Sequence, residues 1–232
     1  MRFSGQSLST GTGFICQSPK GYVLLTNRHN VTGRNQETGE LLSKTGAEPN
    51  EIVISHNKLN QLGHWVGRIE PLYSNSNPRW IEHPKHGGKA DFVALPLTAL
   101  DDVHAYFYEP KNPGNIQVGP ADTVSVVGFP FGIQAGGSLA VWATGFIASE
   151  LEIDFNNSPT FLVDCRTRQG QSGSPVIAYR KGGTTSFTNG SVVSGGGPFT
   201  RFLGIYSGRV KSESDLGIVW KGAAIAELIE SI

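Results

Sequence analysis

The sequence predicts an all-β fold, built as barrels or a sandwich rather than as a parallel α/β sheet. Three observations point there. Apolar runs of strand length recur along the 232 residues, with turn-forming residues between them. Helical patterns do not alternate with these runs, as a parallel sheet would require. The composition has 30 glycines against one methionine, with many Val, Ile, Thr and Phe, and so suits short strands joined by tight turns.

The strand-like runs are, in order, TGFIC (12–16), YVLLTN (22–27), EIVIS (51–55), HWVGRIE (64–70), DFVALPL (91–97), TVSVVGFP (123–130), SLAVWATGFIAS (138–149), TFLVDC (160–165), SPVIAY (174–179), RFLGIYS (201–207) and LGIVW (216–220). The only helical pattern is terminal, where Ile225, Leu228, Ile229 and Ile232 fall at i, i+3, i+4 and i+7. Proline and glycine thicken over 110–120, which places a link between two halves, 1–112 and 113–232. Residues 180–198 read as a polar, glycine-rich connection, too long for an ordinary hairpin.

Charge and length exclude several classes. With 19 basic and 19 acidic residues there is no basic excess to neutralise phosphates, so no nucleic-acid partner is expected. No apolar run approaches membrane-spanning length, so no membrane partner is expected either. The N-terminal stretch MRFSGQSLSTGTGFIC has no apolar segment long enough for a signal peptide. The expected location is therefore cytoplasmic, or secreted if a leader has been removed. Cys16 and Cys165 are too few for a disulfide-stapled domain and are expected as free, buried thiols. Nothing in the sequence indicates an oligomeric state.

The most informative stretch is RQGQSGSPV (168–176), a serine set between glycines ahead of an apolar run. Such a serine is either a turn residue or a nucleophile, and a nucleophilic hydroxyl needs a base, usually a histidine oriented by a carboxylate. All six histidines (29, 56, 64, 83, 86 and 104) precede Ser172. That excludes the α/β-hydrolase order, in which the histidine follows the serine. The first aspartate is Asp91, so an order opening on aspartate leaves only His104. What remains is histidine, aspartate, serine. His29 stands where the apolar stretch Tyr22–Leu25 runs into a polar turn, and Asp91 opens DFVALPL at a strand edge. The alternative roles are a structural histidine and a turn or cap aspartate, with Asp101 or Asp102 as substitutes for Asp91. His83-Pro84-Lys85-His86 with Glu82 has the residue types of a metal site, but the proline opposes a helix presenting both imidazoles, and a solvated loop is expected.

Together, TNRH (26–29), DFVAL (91–95) and GQSGSP (170–175) resemble the three catalytic motifs of the trypsin-like serine peptidases, in the same order. The nearest resemblance is to the bacterial branch, similar to glutamyl endopeptidases and HtrA proteases. VGFPFG (127–132) also resembles the loop opening the second barrel in HtrA-like enzymes.

This resemblance implies two six-stranded antiparallel β-barrels, an active site in the cleft between them and a C-terminal helix. It implies a serine endopeptidase acting on protein or peptide, without metal or cofactor. His29 would be the base, Asp91 its orienting partner and Ser172 the nucleophile. The backbone N–H groups of Gly170 and Ser172 would form an oxyanion hole. Arg166 would lie at the floor of the primary specificity pocket, with Thr167 beside it. Tyr206, Ser207, Gly208 and Arg209 would form the edge strand that pairs with substrate. Arg166 at the floor opposes cleavage after Lys or Arg. Gln171 stands where zymogen-activated animal enzymes carry an aspartate, so activation by that salt bridge is not expected. Two other readings use the same fold: a catalytically silent peptide-binding module, and an esterase or acyltransferase.

Overall fold

Two strands of the first half are apolar along most of their length, and the fold buries both of their faces. In Gly21–Thr26, Val23 and Leu25 join one core cluster, and Leu24 joins another. Its antiparallel neighbour Val93–Pro96 divides in the same way, with Ala94 on one side and Val93 and Leu95 on the other. Continuous apolar runs are what strands covered on both faces require.

The structure is a computed structural model that describes residues 1–211 and 213–232. The first half contains two five-stranded sheets. One holds Gly13–Ser18, Gly21–Thr26 and Val93–Pro96, edged by Ile81–Glu82 and Phe107–Tyr108. The other is built around Glu51–Lys58 and Trp65–Pro71. In the second half, six antiparallel strands close into a barrel. Around its wall they run Thr123–Gly128, Val141–Ile147, Thr160–Asp164, Leu216–Lys221, Phe199–Arg209 and Pro175–Arg180.

Among the described residues the fold is thus mostly β, with one closed barrel where two were expected. Closure needs an unbroken circuit of backbone pairs. In the first half the edge strands Ile81–Glu82, Val103–His104 and Phe107–Tyr108 are two residues each, and Trp65–Pro71 and Val93–Pro96 end on prolines that have no N–H to donate.

Two other expectations are corrected. A short helix, Arg28–Thr32, accompanies the terminal one, Gly222–Glu230. It ends at Gly33, whose left-handed φ of 67° lets its N–H return to the His29 carbonyl. Within 180–198, Thr184–Ser186 and Val192–Ser194 pair as a small hairpin. The terminal helix buries Ala224, Ile225, Leu228 and Ile229. They enter a core shared by both halves, with Phe14, Leu25 and Phe92 from the first and Phe202, Ile205 and Trp220 from the second. Burial of this kind stabilises by about 25 cal/mol per Å² of apolar surface, so the helix locks the halves together over one continuous core.

Candidate active site

Thr26 pairs with Val93, so the end of one strand lies beside the start of the next. The chain leaves the first strand through Asn27 into the short helix and enters the second through Asp91 and Phe92. His29 and Asp91 meet there. His29 Nδ1 lies 2.8 Å from Asp91 Oδ2, and the His29 backbone N–H donates to Asp91 Oδ1 at 3.1 Å. Asn27 Nδ2 donates to the Asp91 carbonyl and fixes the approach of the two segments. Asp91 is 5% exposed, and a buried carboxylate needs several donors. A third comes from the other half, where Ser207 Oγ donates to Asp91 Oδ2 at 2.6 Å. With the carboxylate on Nδ1, the neutral ring keeps its proton there and leaves Nε2 as acceptor.

Ser172 lies on the turn leading into Pro175–Arg180. Gly173 N–H donates to the Tyr206 carbonyl at 2.9 Å, and Tyr206 N–H donates to the Ser174 carbonyl at 2.8 Å. These bonds clamp the turn onto Phe199–Arg209. Ser207 is the extra residue of a bulge in that strand, since Tyr206 faces Val219 while Gly208 faces Ile218. A bulge re-aims side chains. Here it lets Tyr206 enter the barrel core while the Ser207 hydroxyl reaches Asp91. Ser172 Oγ donates to the Ser207 carbonyl at 3.3 Å. Among the described residues it has no hydrogen bond to His29, although both line the same cleft of about 1170 Å³.

Gly170 and Ser172 both line this cleft, and each carries a backbone N–H. The Gln169 carbonyl accepts from Phe131 N–H at 2.6 Å, and the Gln171 carbonyl accepts from Ser174 N–H at 2.9 Å. In a trans peptide the N–H points opposite to the C=O. The N–H groups of Gly170 and Ser172 are therefore turned away from those partners, and among the described residues neither finds another. Gly170 has φ +94°, and a Cβ there would stand 2.5 Å from the Phe129 carbonyl oxygen, so only glycine fits.

Of the expected pocket residues, Ser207, Gly208 and Arg209 line the cleft, and Arg166, Thr167 and Tyr206 do not. The Arg166 side chain is 86% exposed and lies 4.0 Å from Asp215, which corrects its placement at a pocket floor. Its neighbours Cys165 and Thr167 turn inward, so Arg166 turns out to solvent. Tyr206 and Thr167 are buried and joined hydroxyl to hydroxyl. The Tyr206 ring lies so close to Gly217 that a Cβ there would be 2.4 Å from Cε2. Burial pushes the Tyr206 phenol up to about 12. The cations of the cleft are Lys44, Lys89, Arg209 and Lys211, all exposed and, among the described residues, without an ion-pair partner.

The His83–His86 segment is not a solvated loop throughout. His83 is buried, and its Nδ1 accepts from the N–H groups of Lys85 and His86. Among the described residues no group of three or more His, Cys, Asp or Glu side chains could hold a metal ion. Cys16 and Cys165 are free and buried, as expected. Sequence reasoning missed the Ser207 hydroxyl as a donor to Asp91, and missed Thr12, Thr26 and Asn30 behind the Ser172 turn. The bonds from Ser207, Thr12 and Asn30 that reach the other half span more than 100 residues, and no local pattern announces them.

The model of the trypsin-like peptidase domain matches residues 11–185, and the chain belongs to that family. No curated protein matches it. Among solved structures, the serine endoprotease from Yersinia pestis superposes with a TM-score of 0.51 at 17% identity, over 99% of this chain and 59% of that one. A protease of M. tuberculosis in its active form has a TM-score of 0.45 at 18% identity, over 94% and 71% of the two chains. The HtrA-type protease AlgW with a tripeptide has a TM-score of 0.47 at 14% identity, over 92% and 54%. The chain therefore spans about six-tenths of the Yersinia protein, and the likeness is one of fold. Among the described residues no helix is long and apolar enough to cross a membrane.

Proposed function

We propose that this chain is a serine endopeptidase that cleaves protein or peptide substrates through an acyl-enzyme. His29 and Asp91 belong to the first half, 1–112, and Ser172 to the second, 113–232, the two making one peptidase domain. The observation that carries the reading is the meeting, in one cleft, of a carboxylate-held imidazole, a serine hydroxyl and two residues whose backbone N–H groups have no partner among the described residues.

A substrate strand adds along Ser207–Arg209, and its own N–H takes the Ser207 carbonyl. That releases Ser172 Oγ to turn toward His29 Nε2. The imidazole accepts the serine proton as Oγ attacks the acyl carbon, and Asp91 stabilises the imidazolium. The carbonyl oxygen, now negative, is held by the N–H groups of Gly170 and Ser172. His29 then gives its proton to the departing amine, and water repeats the sequence on the acyl-enzyme. No metal or organic cofactor enters these steps.

Hydrolysis of casein by the purified chain and by Ser172→Ala tests the reading. The variant should lose about 10⁴-fold or more, because the three groups act as a unit. Equal hydrolysis by both would overturn it. Turnover of small esters without casein would point to an esterase instead.

A further inference from the structure

The turn carrying Ser172 rests on the first half of the molecule chiefly through a buried threonine, Thr12, with Asn30 beside it. Thr12 is 4% exposed and uses all of its polar groups, its hydroxyl and N–H across the junction and its carbonyl within the first half. Its Oγ1 donates to the Gly170 carbonyl at 2.7 Å and accepts from Phe129 N–H at 3.1 Å. Its N–H donates to the Ser172 carbonyl at 3.0 Å. Its carbonyl accepts from Thr26 Oγ1 at 2.7 Å. Asn30 completes the set, with Nδ2 donating to Thr26 Oγ1 at 3.0 Å and to the Ser172 carbonyl at 3.2 Å. No space is left over: a Cβ on Gly173 would lie 2.1 Å from the Thr12 carbonyl, and one on Gly128 would lie 2.7 Å from Thr12 Oγ1.

The hydroxyl holds two different things. One is the Gly170 carbonyl, on the opposite side of that residue from its N–H. The other is Phe129, at the start of the Phe129-Pro130-Phe131 turn. That turn supplies the Phe131 N–H that fixes the Gln169 carbonyl at 2.6 Å, and hence the direction of the Gly170 N–H. Both flanks of Gly170 are thus referred to a single oxygen atom.

We infer that Thr12 is a positioning residue: its hydroxyl sets the Gly170 N–H toward the substrate oxyanion. It touches neither substrate nor the reacting atoms. The inference rests on the hydrolase reading, because an aimed N–H matters only where an oxyanion forms. A donor displaced by about 1 Å loses much of its worth in the transition state and little in substrate binding.

Thr12→Val keeps the shape and removes the hydroxyl, and Thr12→Ser keeps the hydroxyl and removes the methyl. We expect Thr12→Val to lower kcat by about 10- to 100-fold with KM within about threefold. Thr12→Ser should restore kcat to within about threefold of the parent. Hydrogen exchange of the 168–173 segment should be faster in Thr12→Val in a Ser172→Ala background, a readout that needs no activity. Parental kcat in folded Thr12→Val overturns the inference and leaves the hydrolase reading intact. If Thr12→Val does not fold, Thr12→Ser still decides: a kcat loss above about tenfold in a folded Thr12→Ser means that the hydroxyl is not what matters. A parent chain that neither hydrolyses peptides nor reacts at Ser172 overturns the hydrolase reading, and the inference with it.

Discussion

Asp91 is held by donors from both halves, and each of them is a separate test. Ser207 Oγ is the one that comes from the second half. A hydrogen bond to a charged acceptor contributes about 1.5–3 kcal/mol, of which only part is specific to the transition state. Ser207→Ala should therefore lower kcat about three- to tenfold and leave KM nearly unchanged, since the backbone proposed to pair with substrate stays in place. An unchanged kcat would mean that His29 alone suffices to hold the carboxylate. The cysteines give a contrasting expectation. Burial raises the Cys165 thiol to about 11 and pushes the Cys16 thiol up as well, so neither is a nucleophile at neutral pH. Iodoacetamide should leave peptide hydrolysis intact, and inhibition by it would move the chemistry away from serine. At this scale the sequence was legible where a motif is contiguous, as in TNRH and GQSGSP. It was silent about Thr12, whose hydroxyl acceptor lies 158 residues away. Arg166 was placed at a pocket floor by the resemblance, which takes no account of the alternation that turns Cys165 and Thr167 inward and Arg166 out.

The elements show why the site forms where it does, and one of them carries a pH dependence. The segment His83–Lys89 folds under the terminal helix, with His83 against His86 and Phe92 and with Glu227 and Lys85 beside it. Burial, followed by the positive charge of His86, lowers the His83 pKa below its usual 6.5. The unfolded chain then binds this proton more readily than the native one. The contribution of His83 to stability is complete above about pH 6.5 and declines as the pH falls below it. Burial shifts His56 the same way. The unfolding midpoint should therefore drop between about pH 6.5 and 5, and His83→Asn, which keeps an acceptor for the two N–H groups, should flatten that drop. An unaltered acid limb in His83→Asn would assign it to other groups. The strands around this segment were readable as apolar runs. The failure of the first half to close into a barrel was not, because it depends on two-residue edges and on prolines that supply no N–H.

At the scale of the whole molecule, a chain of zero net charge presents an uneven cleft. Lys44, Lys89, Arg209 and Lys211 line it, against Glu37 and the buried Asp91. A cationic side chain entering beside Ser207–Arg209 meets like charge. Behind that strand, the Thr167–Tyr206 pair offers it no carboxylate. A peptide library should therefore show no preference for Lys or Arg before the scissile bond, now on account of Arg209 and its neighbours rather than Arg166. Efficient cleavage after arginine would contradict this account of the pocket. The His29–Asp91 pairing was readable from the chain alone, because TNRH and DFVAL mark it. The one-sided charge of the cleft was not, since its four cations come from three segments far apart in sequence.

The central claim is that Ser172 is a nucleophile activated by His29. The most direct measurement is mass spectrometry of the chain after reaction with a fluorophosphonate. A single adduct on the peptide containing Ser172 is expected, absent in Ser172→Ala and formed at least about 10³-fold more slowly in His29→Ala. An adduct on another residue, or equal labelling of Ser172 with and without the His29 imidazole, would contradict it.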